Sequence, residues 1–150
     1  MTKWHSIDDV LNYAIGEEQA AAEFYTQLAS QAKMPGMRQV LSDFAQEEMK
    51  HKAKLEAIKA GGKLKPAERQ VMDMKLADYI VDAAPSPDMN YQGVLILAMK
   101  KEKAAFKLYS DLASSTDDEN VKTMFLALAQ EEARHKLRFE IEYDDMLAEN

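Results

Sequence analysis

Two histidines in this chain each follow a glutamate by three residues: His51 after Glu48, and His135 after Glu132. Residues three apart on a helix project to one side, so each pair aims a carboxylate and an imidazole at the same point. Oxygen and imidazole donors of this kind suit iron, manganese or zinc. Two more glutamates share the setting. Glu18 lies seven after Leu11, four after Ala14 and seven before Tyr25, and Glu102 stands in the same relation to Leu95, Ala98 and Tyr109. Leu41, Phe44 and Leu55 frame Glu48, while Phe125, Leu128 and Phe139 frame Glu132. These spacings put four acids inside apolar stripes. Burying an unpaired carboxylate costs on the order of several kcal/mol, and four together repel one another. The lysines and arginines fall mostly off the stripes, so the compensating cations are expected to be metal ions. Two divalent ions would neutralise the quartet. The expected metal ligands are therefore Glu18, Glu48, His51, Glu102, Glu132 and His135.

The remaining candidates are weaker. Glu47 and Glu131 adjoin the stripe glutamates, but seven residues on they meet Lys54 and Arg138, which places them on a solvated edge. Tyr25 and Tyr109 are two turns from Glu18 and Glu102; they are expected to be core phenols that could also orient a ligand carboxylate. His5 reads as a solvated terminal residue. The ten methionines read as core filler, with Met49 the one to watch because it adjoins Glu48.

The elements that must position these groups are helices. Ser6 with Asp9 marks a helix start. Leu11, Ala14, Ile15, Ala21, Ala22, Tyr25, Leu28 and Ala29 continue the stripe to Pro35-Gly36. A second stripe runs through Met37, Val40, Leu41, Phe44, Ala45, Leu55 and Ile58 to Gly61-Gly62. From Lys63 to Asn90 the pattern breaks: Pro66 can open a short helix, and Pro85-Ser86-Pro87 imposes an extended break. The third stripe is Val94, Leu95, Ala98, Met99, Ala105, Phe106, Tyr109, Leu112 and Ala113. The fourth is Val121, Met124, Phe125, Leu128, Ala129 and Phe139. The reading is one all-α domain, a ferritin-like four-helix bundle. Its first hairpin covers about 6–60, its crossover 61–90 and its second hairpin about 91–148.

The hairpins repeat. A shift of 84 residues pairs Leu11 to Glu56 with Leu95 to Glu140 without a gap, and 16 of the 46 pairs are identical. Glu18 meets Glu102, Tyr25 meets Tyr109, Glu48 meets Glu132 and His51 meets His135, so the candidate ligands are among the positions kept.

Composition bounds the chemistry further. The chain has 150 residues, no cysteine, five glycines and four prolines. Thiolate chemistry, disulfides and iron–sulfur clusters are thereby excluded. A net charge of −7 disfavours nucleic acid and anionic membranes as partners. No apolar run reaches membrane-spanning length and the start lacks a signal-peptide pattern, so a cytoplasmic location is expected.

The stretches EEQAAAEFYTQLA and FAQEEMKH in the first half, with KEKAAFKLYSDLA and LAQEEARH in the second, resemble the rubrerythrin-like branch of the ferritin-like superfamily. The resemblance covers nearly the whole chain apart from the crossover. It implies a diiron centre on the six named residues, with Glu48 and Glu132 bridging. It also implies peroxidase chemistry, the reduction of hydrogen peroxide or dioxygen in defence against oxidative stress. Without cysteine there is no rubredoxin domain, so the electron donor must be separate, such as rubredoxin itself. Where the family has a further glutamate after the third-helix ligand, this chain has Ala105. The symmetric ligand set is closer to bacterioferritin, whose haem-binding methionine corresponds to Met49; no haem is expected here. The end of the chain soon after the fourth helix argues against a storage cage, and a homodimer is expected, with exchanged hairpins one way to form it. The rival readings are a ferroxidase that handles iron and a non-enzymatic binding bundle with a structural metal site.

Overall fold

Ser6 caps the first helix as its spacing predicts: its hydroxyl accepts the Asp9 amide at 3.2 Å, and Asp8 and Asp9 lie in the first turn. The structure, a computed structural model, describes residues 4–81 and 89–149. Among them are five α-helices and no strand: α1 (Ile7–Gln31), α2 (Pro35–Ala60), α3 (Glu68–Met72), α4 (Tyr91–Ser115) and α5 (Glu119–Glu149). Helices α1 and α2 thus lie within 7–60, and α4 and α5 within 91–149. The break expected at Pro85-Ser86-Pro87 lies outside the described residues.

Each helix end has a local cause. Pro35 opens α2, where its missing N–H costs nothing. Gly61 and Gly62 close it, with the Lys63 amide reaching back to the Ile58 carbonyl at 3.3 Å. Gly62 has a φ of +62°, a left-handed conformation that a side chain disfavours. Gly62→Ala should therefore cost about 1 kcal/mol; the shift in urea midpoint measures it, and no shift would show that the turn relaxes freely. Asn90 caps α4 by accepting the Gly93 amide at 2.8 Å. Asp118 accepts the amides of Asn120 and Val121 at the start of α5.

The chain divides into two compact units, Trp4–Met72 and the stretch from Asp73 onward, each built on one hairpin. In the first, α1 and α2 run antiparallel, because Lys59 bonds Asn12 at 2.7 Å and Lys52 bonds Gln19 at 2.8 Å. In the second, Tyr91 donates to Glu142 and Gln92 to Tyr143, which fixes α4 antiparallel to α5. In the crossover, the short helix expected after Pro66 is α3, entered through a 3₁₀ turn at Lys65–Ala67 and followed by a second 3₁₀ turn at Leu76–Asp78. Tyr79 anchors that second turn: its ring is buried, its hydroxyl donates to Asp111 at 2.7 Å, and the Lys107 ammonium lies 5.1 Å from its centroid.

The apolar stripes hold with one reversal. Phe106, assigned to the third stripe, is 42% exposed, while the unassigned Leu97 and Leu108 are buried. The buried arc of α4 passes from Leu97 and Leu108 through Val94 and Leu112 to Leu95, and Phe106 lies just beyond its edge.

Candidate metal centre

Helix α1 carries Glu18 on the face that also buries Leu11, Ala14, Ala22 and Tyr25, and α2 carries Glu48 and His51 among Leu41, Phe44 and Leu55. Packing these faces together brings the three polar groups into one place. The three residues are no more than 2% exposed, and donor atoms of all three lie within 4.8 Å of one another. His51 Nδ1 is 3.2 Å from a Glu18 oxygen and 3.2 Å from a Glu48 oxygen. The second hairpin repeats the arrangement with Glu102 on α4 and Glu132 and His135 on α5, again almost fully buried and again within 4.8 Å. There the His135 Nδ1 distances are 3.6 Å to Glu102 and 3.7 Å to Glu132.

These spacings test the fit of a metal ion. Donors bound to one ion at about 2.1 Å stand roughly 3.0 to 3.4 Å apart in octahedral or tetrahedral geometry. The imidazole of the first triad stands at that separation from both of its acids, and that of the second is within a few tenths of an ångström of it. The donor chemistry, two carboxylates and one imidazole in each triad, suits iron, manganese or zinc.

The structure also shows something the stripe argument leaves out. Burial alone lowers the pKa of the His51 imidazole, but hydrogen bonding and charge from Glu18 and Glu48 outweigh it and push the pKa up to about 10. In the metal-free chain His51 is thus a cation that partly offsets its two acids, a role the Glu-x-x-His spacing allows beside ligation. Because the folded pKa lies above the ordinary 6.5, the stability this group contributes is complete below about pH 6.5. It is lost as pH rises through about 10. The urea midpoint of chelator-treated protein should fall between pH 7 and 10; a flat profile would remove this ion pair.

The other candidates fall as follows. Tyr25 and Tyr109 are buried, Tyr25 against Phe24 and Phe44 and Tyr109 stacked on Phe125 at 6.3 Å. Glu47 and Glu131 are half-buried, off the fully buried face that holds Glu48 and Glu132. His5 is exposed. Met49 is 42% exposed and lines an outer groove between α1 and α2. No helix among the described residues is long and apolar enough to cross a membrane.

The sequence matches the family described as "Ferritin-like domain" over residues 7–140. Two solved structures resemble the chain over nearly its whole length. One, from Thermotoga maritima, is provisionally described as a ferritin-like diiron-carboxylate protein; it is 18% identical, has a TM-score of 0.78, and the match covers 94% of this chain and 96% of that one. The other is a hypothetical protein from Pyrococcus furiosus, 25% identical with a TM-score of 0.74, the match covering 96% and 92%. No curated protein matches. A ferritin-like helical bundle carrying buried glutamate and histidine triads able to bind metal is therefore what the chain forms, and it belongs to the ferritin-like domain family.

Proposed function

We propose that the protein is a diiron oxidoreductase of the rubrerythrin-like kind that reduces hydrogen peroxide, with dioxygen as the lesser substrate. The duplicated triad is the observation that supports this most. One triad offers two acids and one imidazole; two copies offer the six donors that ferritin-like dimetal proteins use for a pair of ions. Glu18, Glu48, His51, Glu102, Glu132 and His135 would hold two irons, with Glu48 and Glu132 as bridges. When bound, those ions supply the electrons for reducing peroxide.

The chain's own residues have distinct parts in this reading. The four glutamates neutralise the ions, so that a charged centre is tolerated in an apolar interior. Their burial among Leu11, Leu41, Leu95, Phe125 and Phe139 limits the access of bulk water. Tyr25 and Tyr109 keep the surrounding packing rigid and, through their hydroxyls, orient ligand carboxylates. With no cysteine to form a relay, electrons come from a separate donor such as rubredoxin.

Anaerobic stopped-flow absorption of the iron-loaded, reduced protein tests the proposal. Rapid oxidation by peroxide and slow oxidation by dioxygen are the expected result. The reverse order would favour a ferroxidase that handles iron, a reading that membership of the ferritin-like family also supports. Metal analysis of protein purified without chelator comes first: fewer than one ion per chain would leave the non-enzymatic binding bundle.

A further inference from the structure

The duplicated hairpins differ in a groove that none of the six candidate metal ligands lines. It runs along the outer face of α4 beside the crossover residues Asp78, Ile80 and Val81, and its volume is about 680 Å³, within the range of small-molecule sites. Its surface is mainly apolar. Phe106, Ile80, Val81 and Ala104 form the wall, with Phe106 and Ile80 42% and 49% exposed, and the stems of the lysines extend it.

Charge is distributed unevenly along this trough. Lys100, Lys103 and Lys107 follow one line of α4 at spacings of three and four, against the two acids Asp78 and Asp111. Both acids serve the Lys107 end. Asp111 accepts the Tyr79 hydroxyl at 2.7 Å and the Lys107 ammonium at 2.9 Å, and Asp78 adds to the attraction on that same ammonium. Lys100 and Lys103 form no ion pair among the described residues. The other cations nearby lie off the groove: Lys101 does not line it, and Lys136 is drawn to Glu140 at 3.1 Å. Two ammonium groups without an acid therefore stand at one end of an apolar trough that follows about 16 Å of helix. The matching face of α1 is an internal contrast. Where α4 has Lys100, Lys103, Phe106 and Lys107, α1 has Gly16, Gln19, Ala22 and Glu23, and amides and hydroxyls dominate the groove there.

We infer that the α4 groove binds an amphiphilic carboxylate of medium chain length, taken up from solution. Its headgroup sits between Lys100 and Lys103, and its tail lies along Ala104, Phe106, Ile80 and Val81. A carboxylate supplies the acid that these two ammonium groups lack, and an alkyl tail covers the exposed ring; neither part alone does both. An anionic membrane is the less favoured source of such a headgroup, because the chain as a whole carries −7. The site is independent of the metal reading.

Decanoate, kept below its micelle concentration, is the probe for a titration of the full chain followed by amide NMR and calorimetry. One equivalent is expected to bind with a sub-millimolar Kd, with shifts clustered on residues 78–81 and 100–111. Decanol should bind roughly tenfold more weakly, and acetate not at all. Lys100→Glu/Lys103→Glu should weaken decanoate by roughly tenfold or more while leaving decanol within about twofold. Phe106→Ala, which copies the α1 residue, should weaken both several-fold. All three positions are exposed, so the fold should survive, and an unchanged melting temperature checks it. No saturable binding, shifts spread over the whole surface, or decanoate affinity indifferent to the lysine reversal would each overturn the inference. So would pelleting with anionic phospholipid vesicles without decanoate binding, or a dimer, dissociated by Phe106→Ala, whose second copy covers the groove and excludes decanoate.

Discussion

Chelator-treated protein is expected to melt about 15 to 30 °C below protein loaded with two metal ions. An ion that binds only the folded chain stabilises it by about 4 kcal/mol when present at a thousandfold excess over its Kd, so two ions contribute about 8 kcal/mol. For a chain of 150 residues, each kcal/mol moves the melting temperature by roughly 2 to 4 °C. The loss should be reversible on adding metal back, because the donors remain on α1, α2, α4 and α5 with their helix caps intact. Differential scanning calorimetry before and after dialysis against chelator reads the shift. A stripped protein that melts within a degree or two of the loaded one would mean that the buried acids are satisfied without metal, and the electrostatic basis of the proposed function would be gone.

Replacing Glu18 by Gln should have the second-largest effect, and it should fall on metal binding rather than on the fold. The substitution keeps shape and an acceptor oxygen but removes one negative charge beside His51. Losing a direct ligand should lower affinity beyond the roughly 10- to 100-fold typical when only a supporting partner is lost. The metal-free fold should change by no more than about 1 kcal/mol, because the lost attraction to His51 is offset by relief of repulsion from Glu48. The His51 pKa should drop from about 10 toward its ordinary value, visible as an earlier midpoint in an NMR titration of the imidazole. A sharp fall in metal-free stability would show that the Glu18–His51 contact, not metal, is what the acid is buried for.

The helices and the burial of the glutamate–histidine triads could be read from the sequence because both obey the helical period. Glu18, Glu48 and His51 sit at stripe positions, and any packing that buries Leu11, Leu41 and Tyr25 must bury them as well. Hairpin ends were equally plain, since Ser6, Pro35 and Gly61-Gly62 act through local geometry. What could not be read depends on neighbours. Phe106 and Leu108 are two residues apart and both apolar; the width of the buried arc, set by packing, leaves the first outside and takes the second in. The crossover is ambiguous for a related reason: the buried Tyr79 is anchored by a phenol–carboxylate bond to a residue 32 positions away, which no local pattern announces. The elevated His51 pKa likewise needs two acids from different helices at a known distance.

Phe106 has a wider meaning through its counterpart Ala22, which is buried at the corresponding place in the first hairpin. Were this bundle assembled from two copies of one hairpin, every mutation would arrive twice and a bulky ring at that place would have to be accommodated in both. Two hairpins on one chain lift that constraint, so one flank can carry a bulky ring while the other keeps a methyl group.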